Sequence, residues 1–225
     1  MTATATFPRQ NWDLDLRAEL YKQELYATSA WRSERDDWVT PWDDGRPAKE
    51  LTDLLGLMKE RPACLGSVIR ERQSRVLIGY WYDWLGFGPK THPLTDELVH
   101  ASVHVAGSVA MYFKMKFQRV RPWVLEPRLA PPIVPLPGHP AYPSGHSTQM
   151  HLTAHTLAYL VPGGLPDELM ERIGSVALNR ERAGLNYRSD TEAGRVLAQR
   201  LIDTLTTQCR NFASNLATAR DGEWR

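Results

Sequence analysis

Cysteine is scarce in this chain of 225 residues, with Cys64 and Cys209 alone. Two cysteines exclude a disulfide framework as the source of stability, and they read as reduced, partly buried thiols. A charge excess of one sign is missing too. Lys and Arg total 27 against 26 Asp and Glu, a net charge of +1. No global field therefore recruits nucleic acid or membrane, and any basic function must come from local clustering. Long hydrophobic runs are absent. The longest, around 101–113 and 152–161, are interrupted by His, Ser or Thr, and they fall short of the roughly 20 residues a membrane span needs. Met1 to Pro8 has neither a basic start nor an apolar stretch, so it reads as no signal peptide. The expectation is a soluble, cytoplasmic protein without a membrane span. Strand signals, internal repeats and low-complexity tails are also lacking.

What is present is helical periodicity. It predicts helices over 13–37, 47–59, 63–85, 95–117, 146–160 and 166–182, and a last one from 189 to about 218. Thr95 reads as an N-cap with Asp96 and Glu97 in its first turn. Ser189-x-x-Glu192 reads as a capping box. Residues 122–143 hold eight of the sixteen prolines. That segment reads as a stiff irregular loop, of the kind that shapes a site between two helices. The eight tryptophans read mainly as packing anchors, with a substrate-facing aromatic wall as the sharper alternative. The expectation is an all-α chain folding as one helical domain over 1–225. Within it, 1–93 is a helical part without motif and 94–218 is the motif-bearing core.

Three basic and polar clusters carry the chemistry. They are Lys114…Arg121-Pro122, then Pro143-Ser144-Gly145-His146, then Asn179-Arg180…Asn186…Asp190. Arg presents a planar fork that matches tetrahedral oxyanions, and Lys a mobile point charge. Pro143 to His146 lies where a loop turns into a helix. Free N–H groups there bind anions, and glycine lets the backbone come close. Ser144 adds a hydroxyl, and His146 is a candidate general acid near neutral pH.

The motifs Lys-x6-Arg-Pro, Pro-Ser-Gly-His and Arg-x9-Asp resemble those of the type 2 phosphatidic acid phosphatase and vanadium haloperoxidase superfamily. The wording from His139 to Ser147 and from Asp190 to Arg195 is similar to its soluble bacterial haloperoxidase-like branch. The likeness is strong over about 114–194, and the first hundred residues carry none of it. It implies an all-α bundle of the acid phosphatase and haloperoxidase type. It implies that Lys114, Arg121 and Arg180 hold phosphate or vanadate oxygens, with Ser144 and the Gly145 amide adding hydrogen bonds. His146 would be the acid, and Asp190 would orient the group at position 186. In the family that group is a histidine that attacks phosphorus or ligates vanadium. Here it is Asn186, and Asn179 replaces the family serine.

An amide nitrogen has its lone pair delocalised, so Asn186 is a poor nucleophile and a poor metal ligand. The covalent phosphatase step should therefore fail, and vanadate should be held only as a hydrogen-bonded anion. Three origins of Asn186 stay open: a deliberate inactivating substitution, a natural homologue with non-covalent chemistry, or a natural binding protein. Three functions follow: a phosphatase-like hydrolase with its covalent step disabled, a haloperoxidase-like or vanadium-independent acid–base enzyme using His146, or a phosphate-binding protein. The partner is a small phosphate ester or oxyanion and not nucleic acid, with a homodimer left open. No metal ligand set stands out. His100/His104 and His151/His155 have i, i+4 spacing but no acidic partner at ligand spacing, and read as packed or partly exposed. Met111 shares a helical face with Lys114, and 68–75 reads as a solvated Arg-rich face.

Overall fold

The computed structural model describes residues 11–42, 47–71, 74–131 and 136–225. Among them the regular structure is helical and no strand occurs, so the chain is all-α. The α-helices are α1 (Leu14–Ala27), α2 (Pro47–Leu57), α3 (Arg61–Arg70), α4 (Ser74–Leu85) and α5 (Pro93–Phe117). They continue as α6 (Pro122–Leu125), α7 (Gly145–Leu160), α8 (Asp167–Arg182), α9 (Arg188–Gln208) and α10 (Arg210–Glu223). No helix of the described residues is long and apolar enough to cross a membrane.

Several boundaries differ from the sequence reading, each for a physical reason. The helix expected over 13–37 stops at Thr28, whose Oγ1 donates to Leu25 O and accepts from Trp31 N. A hydroxyl that competes for backbone partners opens the helix there. The chain resumes as a π turn over Ala30–Glu34 and a 3₁₀ turn over Arg35–Asp37. The helix expected over 63–85 is two, α3 and α4, with residues 72–73 outside the described set. Thr95 is not an N-cap. Pro93 opens α5, and Glu223 accepts from Leu94 N, Thr95 N and Thr95 Oγ1 at 2.7–2.9 Å. The last helix breaks at the extended residue Cys209, and Glu24 accepts from Asn211 N to start α10. Both helix starts thus use carboxylates distant in sequence. The capping carboxylate of α9 is Asp190, which accepts from Tyr187 N at 2.9 Å. Glu192 instead pairs with Arg188 and Arg195. The proline-rich stretch is irregular as expected, apart from α6 and a 3₁₀ turn at Pro127–Leu129; residues 132–135 lie outside the described set.

α5 is the central helix. It packs on α1, α7 and α10, while α7 packs on α8 and α9. Val99, Val103, Val109 and Phe113 of α5 join Leu152 and Leu157 of α7 and Leu197 and Leu201 of α9 in the main core. Trp31, Trp38 and Trp81 are buried in the same core. The starts of α7 and α9 meet at Gly194, where a Cβ would lie 2.7 Å from Ser144 O and 2.8 Å from Ser147 Cβ. Only glycine permits that approach. It brings the loop before α9 against the first turn of α7. Gly184, in the left-handed region at φ 72°, closes the turn after α8 and aims the chain at the same place.

Candidate anion-binding site

A cavity of about 290 Å³ opens where α3, α5, α7, α8 and the loop before α9 converge. Its wall includes Lys114, Arg121, Gly145, His146, Arg180 and Asn186, six of the eight residues picked out from sequence. No carboxylate lines it among the described residues. Lys114, Arg121 and Arg180 are 2%, 6% and 3% exposed. Three buried cations around one hollow are costly unless they are paired or meet a ligand.

Each cation is held by the backbone. Lys114 Nζ donates to Pro140 O at 2.7 Å and Ala141 O at 2.6 Å. Arg121 donates from Nε to His139 O, and from Nη1 to Leu185 O and Asn186 Oδ1. Its Nη2 lies 3.0 Å from His139 Nδ1. Guanidinium only donates, so that ring nitrogen carries the lone pair, and the 3.2 Å approach of the same atom to Pro140 O is no hydrogen bond. Arg180 Nη1 donates to Val68 O at 3.2 Å.

Burial is the first cause of the shifted acidities, and the cations are the second. Burial, then Arg121, pushes the Lys114 ammonium well below its ordinary range. Burial brings Arg121 down to about 10 against the pull of Asp190. Burial, then Arg121 and Lys114, pushes His139 down to about 4. Burial, then Arg180, holds His146 well below its ordinary value, with Arg121 and Lys114 adding to the effect. Lys114, His139 and His146 thus feel the neighbouring cations as well as burial.

His146 Nε2 lies 2.7 Å from Glu71 O. A carbonyl accepts only, so Nε2 carries the proton and Nδ1 the lone pair of the neutral ring. Gly145 and His146 are the first two residues of α7, and their N–H groups have no partner within the helix. They place the positive end of a 16-residue helix at the cavity.

Ser144 and Asp190 stand behind this wall. Ser144 is fully buried and caps α7, its Oγ accepting from Ser147 N at 3.4 Å. Asp190 is fully buried and accepts from Arg119 Nη1 at 2.6 Å and Asn186 Nδ2 at 3.0 Å. Asn186 is bonded at both ends of its amide. Its Nδ2 also donates to Ala141 O at 3.0 Å, and its Oδ1 accepts from Arg121. The reverse amide orientation would set oxygen against a carbonyl and a carboxylate, so the network fixes this one. Position 186 thus offers no ring nitrogen toward the cavity. Vanadate ligated through a nitrogen at this position does not fit.

Sequence reasoning missed several members. Arg119 is the partner of Asp190. It also binds Glu50 at 2.7 Å and Ser189 Oγ at 2.7 Å, and its guanidinium lies 3.8 Å from the Tyr187 ring centre. Burial works against the charge of Arg119, but Asp190 and Glu50 outweigh it and raise its pKa. His139, Gln149 and Gly107 line the cavity, and Met111 sits at its rim, 40% exposed. The reading of 68–75 as a solvated face is overturned at Val68 and Glu71, which are buried and turn their carbonyls to Arg180 and His146. Asn179 and Arg180 both reach the Glu71 carboxyl, whose pKa burial raises. Among the described residues no tryptophan lines the cavity. Position 119 has a signal in hindsight, an arginine two residues before Arg121, but a lone Arg reads as surface.

No protein-family model matches the chain, and no curated protein matches it. Among solved structures it is similar to the crystal structure of a transmembrane PAP2-type phosphatidylglycerolphosphate phosphatase from Bacillus subtilis. Identity is 15% and the TM-score is 0.39, over 89% of this chain and 96% of that one. A likeness this distant describes similarity and carries no argument about the site.

Proposed function

We propose that the cavity binds a phosphate-type oxyanion, as in a phosphatase-like protein of the phosphatidic acid phosphatase and haloperoxidase type whose covalent step Asn186 withholds. The observation that carries this reading is the buried trio Lys114, Arg121 and Arg180 around a cavity with no carboxylate in its wall. An oxyanion there would accept from the guanidinium forks and the α7 N-terminus. It would also offset the field that depresses His139 and His146. The neutral His146 then gains a proton more readily, which is what a general acid for a leaving oxygen requires. The motif resemblance from Lys114 to Asp190 supports the same reading.

Asn186 sits where a nucleophile would face the anion, tied to Asp190, and its amide cannot attack phosphorus. The haloperoxidase alternative draws no support here, because position 186 offers no nitrogen ligand for vanadium.

Hydrolysis of para-nitrophenyl phosphate by this chain and by Asn186→His tests the proposal. The expected outcome is negligible turnover here and a gain on the order of 10³-fold or more in Asn186→His, given what a lost nucleophile costs. Equal turnover in both, unaffected by Arg180→Met, would overturn the covalent assignment. Tight phosphate binding in both with turnover in neither would assign a binding protein.

A further inference from the structure

Away from that cavity, Asp15 of α1 meets His100 and His104 of α5, with one ligand atom from each and all three atoms within 4.8 Å of one another. We propose that these three side chains form a binding site for a divalent transition metal of the zinc class. The argument does not rest on the anion-binding reading.

It starts from protons. His100 Nε2 faces Tyr82 Oη at 3.4 Å and Asp96 Oδ1 at 3.6 Å, and the Tyr82 hydroxyl is itself donated to Asp96. Both neighbours therefore accept, and Nε2 carries the hydrogen. The lone pair is then on Nδ1, a buried atom with no hydrogen-bond partner.

Asp15 Oδ1 lies 3.7 Å from this Nδ1 and 2.9 Å from His104 Nε2. One proton can bridge Asp15 and His104, and a second, on His100 Nδ1, would relieve the lone pair facing the carboxylate. A cation shared by the three atoms relieves it without protonating the ring. Ligand atoms bound at about 2.0–2.1 Å at tetrahedral angles lie about 3.3 Å apart, between the two observed separations. Two imidazoles and one carboxylate suit Zn²⁺ or Co²⁺ and leave a position for water.

The surroundings have the form of a metal site. Behind the other nitrogen of the ligating ring, at 3.6 Å, stands a buried carboxylate, Asp96, where a small tilt of the ring would make the bond that orients metal-bound histidines. The neighbouring cation of α1, Arg17, is engaged with Glu97 at 2.6 Å. An open hollow of about 750 Å³, lined by Asp15, Tyr82 and His100, gives entry from solvent. Asp15 and His104 are themselves exposed, at 61% and 39% of the side chain, so substituting them leaves the core intact.

The test is titration of the metal-free full chain with Zn²⁺ by calorimetry and with Co²⁺ by its ligand-field absorption. A single saturable site is expected, with imidazole-type cobalt bands. Asp15→Asn and His104→Ala should each weaken it more than tenfold, and Asp96→Asn by about 10–100-fold through loss of the backing carboxylate. Absence of saturable binding overturns the proposal. So does binding unchanged in Asp15→Asn and His104→Ala, or abolished only by His155→Ala, which would locate the metal at the other histidine pair.

Discussion

Replacing Asn186 with alanine removes three hydrogen bonds from the wall of the cavity without orphaning any partner. Ala141 O keeps Lys114 Nζ at 2.6 Å, Asp190 Oδ2 keeps Tyr187 N at 2.9 Å, and Arg121 Nη1 keeps Leu185 O at 2.6 Å. The cost is therefore the net worth of the bonds and not the larger penalty of stranded buried groups. One neutral bond contributes about 1 kcal/mol, and two to charged partners about 1.5 kcal/mol or more each. Because each partner keeps a second bond, the low end applies, about 3–4 kcal/mol in all. At a urea slope near 3 kcal/mol/M, fitting a chain of this size, the unfolding midpoint should fall by about 1 M. Urea unfolding followed by far-UV circular dichroism reads this directly. A fall of less than about 0.3 M at unchanged slope would refute the claim that Asn186 is a structural cross-link.

Arg119→Met leaves Asp190 buried beside Glu50 without its cation, and should cost about 3–5 kcal/mol in the same unfolding assay. Adding Asp190→Asn should recover part of that loss, and no recovery would count against the pairing. The His139 ring sits at about 4 when folded, against 6.5 in the unfolded chain. Between those values the unfolded chain binds a proton that the folded chain refuses, so this contribution is intact above pH 6.5 and is lost as pH falls toward 4. His146 acts in the same direction, while Glu71 and Glu181, raised by burial, act in the opposite one. The clean reading is thus a difference: His139→Gln should lose less stability than the parent between pH 7 and pH 5. An identical loss in both would contradict the His139 shift.

The site was legible where chemistry follows spacing along the chain. Lys114, Arg121, Gly145, His146, Arg180 and Asn186 reach one cavity because the ends of α5 and α8, the start of α7 and the segments just before α6 and α9 carry them. What was illegible depends on partners far away in sequence. Arg119 matters only because Asp190, 71 residues on, needs a buried cation. Glu71 and Val68 matter because the end of α3 turns its carbonyls toward the cavity. Helix boundaries failed for the same reason. Glu223 and Glu24 cap α5 and α10 from distant helices, and no local pattern announces a cap of that kind. The reading of the histidine pair at 100 and 104 as lacking an acidic partner overlooked Asp96, four residues before His100, and packing of α1 on α5 brings a second carboxylate, Asp15. Ser144 and Asp190 show the remaining limit. Both lie at motif positions, but the fold uses them to hold the residues that face the cavity.

Titration of this chain with inorganic phosphate, followed by calorimetry and by the ring resonances of His146, tests the central claim most directly. The account predicts saturable binding at one site, weakened in Arg180→Met, with the His146 pKa rising as the anion offsets the three cations. No saturable binding near neutral pH, or binding that leaves the His146 resonances unmoved, would contradict it.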